Sequence, residues 1–144
     1  MNSPKHSEER KQTLKDVRLR HHADYQRAYA ASRKRQSASM SWFLATQARA
    51  SADRKSETPR VGLTAGKVLG KANERNRIKR RMREVLRRHV DLLPQGADLI
   101  FHPRRAVLTI EFAKLEAEVV RILTQARAEA AQELSHAGAA RPSS

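Results

Sequence analysis

Between Lys71 and Arg88 the sequence sets nine Lys or Arg residues against two carboxylates, Glu74 and Glu84. Side chains of this kind do not break bonds; they hold anions. On a helix advancing ~100° per residue, the stretch 72–90 sorts into three faces. Ile78, Met82, Val85, Leu86 and His89 share a face that has something to bury. Asn76, Lys79, Arg80, Arg83 and Arg87 form a second face beside it, and Arg77, Arg81 and Arg88 a third on the other flank. A merely solvated helix face interleaves opposite charges, so that i,i+4 pairs support the helix. Here Lys79, Arg83 and Arg87 follow one another at i,i+4 and repel. A polyanion relieves that repulsion, and the pattern points to nucleic acid.

Chemistry of other kinds finds no residues to carry it. Cysteine is absent, which removes disulfides, thiolate zinc sites and thiol nucleophiles. No Ser/His/Asp set and no clustered carboxylate pair for two-metal phosphoryl chemistry stands out, so no catalytic residue and no metal ligand is assigned. The pair His21-His22 has no partner at ligand spacing and reads as solvated. Gly66-Lys67 and Gly70-Lys71 invite comparison with a phosphate-cradling loop. That motif needs four residues between its glycines and a Ser or Thr after the lysine. Here three residues separate Gly66 from Gly70, and Val68 and Ala72 follow the lysines. Such a loop before a helix can still meet a nucleic acid backbone.

The whole chain repeats the local imbalance: 30 Lys and Arg against 15 Asp and Glu, a net charge of +15. That speaks of partners rather than fold. No apolar run approaches the ~18 residues of a membrane span, the first residues lack the apolar core of a secretory signal, and the basic helix lacks the bulky aromatic face of a membrane-surface helix. The expectation is a cytoplasmic protein with RNA or DNA as partner, no membrane and no small-molecule cofactor.

The elements that must position these residues read as one domain over 18–130, with a disordered basic arm at 1–17 and a flexible tail at 131–144. A first helix is expected over 19–33 with Asp24 as its N-cap. Tyr25 and Tyr29, one turn apart, share a face that either packs in the core or stacks unpaired bases. An edge strand at 33–39, a strand at 40–47 containing Trp42, a polar loop at 48–59 and a strand at 60–65 follow, the last antiparallel to its predecessor if the two form a hairpin. After the basic helix, Pro94 and Gly96 make a turn. A buried-looking strand covers 97–102 and an amphipathic helix covers 112–128, with Leu115, Val119, Ile122 and Leu123 inward. The order α-β-β-β-α-β-α predicts an α+β fold, a small mixed four-stranded sheet packed with helices.

Arg75-Asn76-Arg77 with Lys79, Arg80, Arg83 and Glu84, preceded by Arg60-Val61-Gly62, Gly66-Lys67 and Gly70-Lys71-Ala72, resembles the signature of the bacterial ribonuclease P protein subunit. The resemblance runs from about Leu19 to Gln125. It includes Asp24-Tyr25-Gln26, the turn Pro94-x-Gly96-x-Asp98 and Leu115-Glu116. It implies a left-handed crossover around the signature helix. It implies a holoenzyme in which a catalytic RNA, carrying active-site Mg²⁺, removes the 5′ leader from precursor transfer RNA, the protein alone being inactive. Arg75, Asn76, Arg77, Lys79, Arg80, Arg83 and Arg87 would meet the catalytic RNA, with Lys67 and Lys71 in support. Tyr25 and Tyr29 would hold the single-stranded leader, and Trp42 matches a sheet aromatic. Two positions depart from the family: Gly66-Lys67-Val68 stands where Ser-Lys-Lys is usual, and Ala45 where Tyr is frequent.

Two other classes remain in view: a non-catalytic protein that packs or chaperones structural RNA, and a sequence-specific DNA binder. The latter wants base-reading residues on one helix face, whereas this helix offers charge on two.

Overall fold

The computed structural model describes residues 13–46 and 58–139. Its elements are α1 (His22–Ala30), β1 (Lys34–Gln36), β2 (Met40–Thr46), β3 (Arg60–Leu63), α2 (Ala72–Arg88), β4 (Ala97–Pro103) and α3 (Phe112–Ala139), with short 3₁₀ turns at Lys67–Leu69, Val90–Leu92 and Arg105–Leu108. The four strands form one sheet in the order β1-β2-β4-β3. This is the expected mixed α+β architecture.

The pairing differs from the hairpin expected for β2 and β3. β4 lies between them, antiparallel to β2 and parallel to β3. A parallel neighbour needs a long crossover, and α2 with its preceding loop is that crossover. The basic helix is therefore built into the sheet's topology at both ends.

The strands' two faces carry different cores. Met40, Trp42, Leu99 and Phe101 join Ile78, Met82, Val85 and Leu86 of α2 and Leu115, Val119 and Leu123 of α3. Ala45 and Ile100 join Leu19 and Ala28, with Tyr25, Tyr29 and Phe43 packed around them. So α2 and α3 cover one face and α1 the other. Magnitudes explain why α2 holds despite its charge. Each of its four buried apolar residues contributes roughly 1.5–3 kcal/mol on burial, while a like-charge i,i+4 pair costs about 0.2–0.5 kcal/mol. His89, expected on the buried face, is only half-buried. It ends the helix and bonds Glu116 at 2.8 Å.

Both ends of the domain are more ordered than expected. Val17, assigned to the disordered arm, is fully buried. Its carbonyl accepts the Val61 amide at 2.8 Å, and the Leu19 amide donates to the Val61 carbonyl at 2.8 Å. The segment thus lines the outer edge of β3, bridged through Arg18; the part of the arm at 1–12 lies outside the described residues. At the other end α3 runs to Ala139, through most of the expected tail. There Glu129 takes both guanidinium nitrogens of Arg35, at 2.7 and 2.6 Å. The loop expected at 48–59 lies almost wholly outside the described residues.

Asp24 is not a cap. His21 occupies that position, and Asp24 sits inside α1, buried and ion-paired with Arg27 and with Arg60 at 3.2 Å. Arg60 also holds the fully buried Asp98 through bonds of 2.9 and 2.7 Å. Helix α1 is thereby tied to β3 and β4 by one guanidinium between two carboxylates. Gly96, at the turn into β4, has φ 70°, a conformation that suits glycine.

Candidate nucleic-acid interface

The two charged flanks of α2 have different fates. On one, Arg81 donates to the carbonyls of Val107 at 2.6 Å and Ile110 at 2.5 Å. Arg88 pairs with Glu84 at 3.1 Å and Glu116 at 3.6 Å and lies over the Phe112 ring at 4.9 Å. These arginines fasten α2 to α3 and to the turn that follows β4. On the other flank, Asn76, Arg80 and Arg83 are exposed and Lys79 is half-buried. Lys79, Arg80 and Arg83 have no carboxylate partner among the described residues, and neither has Arg77 on the flank of Arg81 and Arg88. The flank of Lys79, Arg80 and Arg83 is an open row of cations.

Not every expected RNA-binding residue is free. Arg87 pairs with Glu84 at 2.6 Å, an exposed i,i+3 bridge of little strength that competes with any phosphate. Arg75 turns back, its Nε donating to the Gly70 carbonyl at 3.3 Å. Lys67 and Lys71 are exposed on the loop before the helix. Glu74 bonds the Lys71 amide at 3.0 Å and pairs with Arg105, a residue that sequence reasoning passed over.

The α1 face of the sheet carries an aromatic cluster. Tyr25 and Tyr29 lie with centroids 6.3 Å apart. Phe43 meets Tyr29 edge-on at 5.0 Å, and His102 lies 5.0 Å from Phe43 and 5.7 Å from Tyr29. The Tyr29 hydroxyl and His102 Nε2 share a hydrogen bond of 2.7 Å. Burial, helped by Lys34, pushes the His102 imidazole down from its ordinary value. Burial raises the Tyr29 phenol, with a hydrogen bond to Thr64 opposing. At neutral pH the cluster is an uncharged, half-exposed platform of rings with polar tips. Gly62 permits part of it: a Cβ there would come within 2.7 Å of the Tyr25 ring.

Trp42 is not in this cluster. It is 2% exposed, in the opposite core, with the Arg35 guanidinium 4.8 Å over its ring. Side chains alternate along a strand, so a residue beside the expected one, Phe43, faces α1. The period-two rule was the signal that could have found it; His102, paired with Ser41 in register, follows by the same parity.

The two faces meet. A small pocket of about 50 Å³ is lined by Arg18, Leu19, Tyr25, Gly62, Leu63 and Arg83 among others. Its wall passes from the tyrosine side of α1, across the β3 edge, to the open flank of α2. Arg18 and Arg83 thus line the same pocket as the Tyr25 ring, which sets cations of the kind that hold phosphates beside a ring of the kind that stacks bases.

The sequence profile of a family described as Ribonuclease P matches residues 14–127. A ribonuclease P protein component from Chloroflexus aggregans is 37% identical over 110 residues, 76% of this chain and 76% of the relative. One from Thermotoga maritima is 37% identical over 62 residues, 43% of this chain and 52% of the relative. Among solved structures, the RNase P protein from Thermotoga maritima matches with a TM-score of 0.63 at 22% identity, covering 75% of this chain and 96% of that one. A Staphylococcus aureus RNase P protein mutant matches with a TM-score of 0.66 at 24% identity, covering 78% and 90%. At these identities the structural likeness speaks for the fold alone.

Proposed function

The chain belongs to the ribonuclease P protein family, and from that footing we propose that it docks on a catalytic RNA through the open flank of α2 while its α1–sheet face holds the 5′ leader of precursor transfer RNA. As the protein component of ribonuclease P it takes part in transfer RNA processing. The observation that carries the finer reading is the division of charge on α2. On one flank Arg81 and Arg88 are taken up by carbonyls and carboxylates, whereas Lys79, Arg80 and Arg83 on the other, together with Arg77, are left to a partner.

Asn76, Arg77, Lys79, Arg80 and Arg83 are the residues proposed to meet the catalytic RNA, with Lys67 and Lys71 beside them. Phosphate contacts position without reading sequence, which suits one protein serving many precursors. Tyr25, Tyr29, Phe43 and His102 are proposed to receive leader bases, Phe43 and His102 in place of the buried Trp42. Stacking on such rings tolerates any base and contributes about 1–3 kcal/mol per base.

Among the described residues no group of three or more His, Cys, Asp or Glu is placed to hold a metal ion. Mg²⁺ is proposed to be held by the RNA subunit, as the family resemblance implies. The chain's own part is electrostatic and positional: it screens phosphates near the reacting bond and fixes the leader against the docked RNA. That screening lowers the Mg²⁺ concentration at which the RNA folds and acts. Among the described residues no helix is long and apolar enough to cross a membrane, and the cytoplasm is the compartment proposed.

The test is a cleavage assay. Protein, catalytic RNA and a precursor transfer RNA are combined at limiting Mg²⁺, and 5′ cleavage is measured. The expected result is a large gain over RNA alone and no cleavage by protein alone. Binding to RNA without any gain would leave a structural RNA-binding protein as the better description.

A further inference from the structure

The 3₁₀ turn Arg105–Leu108 follows β4 and packs against α2. Its first side chain reaches back to the loop that precedes that helix. Arg105 Nη1 donates to the Leu69 carbonyl at 2.6 Å and to Glu74 Oε1 at 3.1 Å, and Nη2 donates to Glu74 Oε2 at 3.0 Å. Glu74 in turn accepts the Lys71 amide. Gly70, with φ 127°, lies under both groups, and a Cβ there would be driven into the Glu74 carboxylate and the Arg105 guanidinium. Leu69 is buried and anchors the loop from below.

The loop 66–71 is thus tethered from three sides, yet what it presents outward has no use in the core. Lys67 and Lys71 are exposed. Between them Val68 is 92% exposed, the one large apolar side chain so placed among the described residues. Flexible lysine loops bind phosphates without such fastening. A fixed pose matters when a surface must match another surface, and the flanking charge selects a nucleic acid.

We infer that Arg105 is a positioning residue, which holds the 66–71 loop in the pose where Lys67 and Lys71 meet phosphates of the catalytic RNA and Val68 rests on a base or ribose face. The inference rests on the docking role proposed for α2 and extends it to a side chain outside that helix. It also accounts for an acidic residue at the RNA-facing end of α2. Glu74 serves as the tether's other half.

Electrostatics alone and positioning predict opposite signs for Glu74→Gln. Removing a negative charge beside phosphates should tighten RNA binding; weakening the tether should loosen it. The experiment is equilibrium binding of the full chain to the catalytic RNA across a salt series. The variants are Glu74→Gln, Arg105→Ala, Lys67→Ala, Val68→Ala and the Arg105→Ala/Lys67→Ala pair. Arg105→Ala is expected to weaken binding about five-fold, the scale of a lost helix-terminus bond network. Glu74→Gln should weaken it too. The pair should cost little more than either single change, because both act through one loop. Val68→Ala should weaken binding with the salt slope unchanged, since an apolar contact releases no counterions. Tighter binding by Glu74→Gln, or full additivity of Arg105→Ala with Lys67→Ala, overturns the inference and makes Arg105 at most a direct phosphate contact. Failure of the unmodified protein to bind in a salt-dependent way overturns the docking reading instead.

Discussion

Tyr29 and His102, 73 positions apart in the chain, share a 2.7 Å hydrogen bond across the α1 face of the sheet. With Phe43 edge-on to Tyr29, the bond closes a cluster of three rings contributed by α1, β2 and β4. A single helix could not present these ring faces at fixed angles; the sheet supplies two of them.

Phe43 and Trp42 are neighbours with opposite expected phenotypes. Phe43→Ala should reduce the affinity advantage of a leader-bearing precursor over a leaderless one by about 1–3 kcal/mol, with folding little changed. Trp42→Ala should destabilise the fold by about 3–5 kcal/mol and leave that advantage intact in the molecules that remain folded. Fluorescence binding on both substrates, with urea denaturation of each variant, separates the two. Equal effects of the two changes on leader discrimination would contradict the assignment of faces.

That contrast also marks what was legible in the sequence. The basic helix, its buried stripe and the element order were readable because a 3.6-residue period holds from Ile78 to Leu86, about two and a half turns. The parity of β2 was harder. Five of its seven residues are apolar, Met40 and the run from Trp42 to Ala45, so neither face announces itself. The parallel pairing of β3 with β4 was not legible either, because strand order depends on where α2 docks. Val17 was lost for a different reason. It is a single apolar side chain in a polar, charged neighbourhood, with no period to mark it, yet it joins the main core and its carbonyl accepts the Val61 amide.

Replacing Lys79 and Arg80 together with alanine should weaken binding to the catalytic RNA and flatten its salt dependence. Each lost phosphate contact should lower the slope of log K against log salt by about 0.7–0.9. Replacing Arg81, whose donors go to the Val107 and Ile110 carbonyls, should instead lower thermal stability and leave the slope unchanged. A salt series paired with thermal denaturation distinguishes them.

Arg60→Ala should be among the most damaging single changes to the fold. It leaves Asp98, fully buried, and Asp24, nearly so, without their shared cation. Stranding a buried charge costs about 3–5 kcal/mol. The loss should be measurable in urea, and partly recovered by adding Asp98→Asn, which removes one stranded charge. No recovery in the double variant would mean that the carboxylates are not what the guanidinium serves.

Glu74 offers a pH signature. The Arg105 guanidinium, and after it the Lys71 amide, hold its carboxyl down to about 2 from an ordinary 4.5. Because the folded value is the lower one, the contribution is complete above pH 4.5 and fades as pH falls toward 2. A carbon-detected NMR titration should place the Glu74 midpoint near 2 in the unmodified protein, and Arg105→Ala should return it toward 4.5. A midpoint that ignores the substitution would remove Arg105 as the cause.

The segment 17–19 along the outer side of β3 has a practical corollary for anyone producing shortened versions of this protein. A cut made between Leu19 and α1 would bare a row of peptide groups on the rim of the sheet, ready to recruit the same strand from another molecule. Trimming that stops before Thr13 keeps the rim sealed, so solubility should fall abruptly rather than gradually as the amino end is shortened.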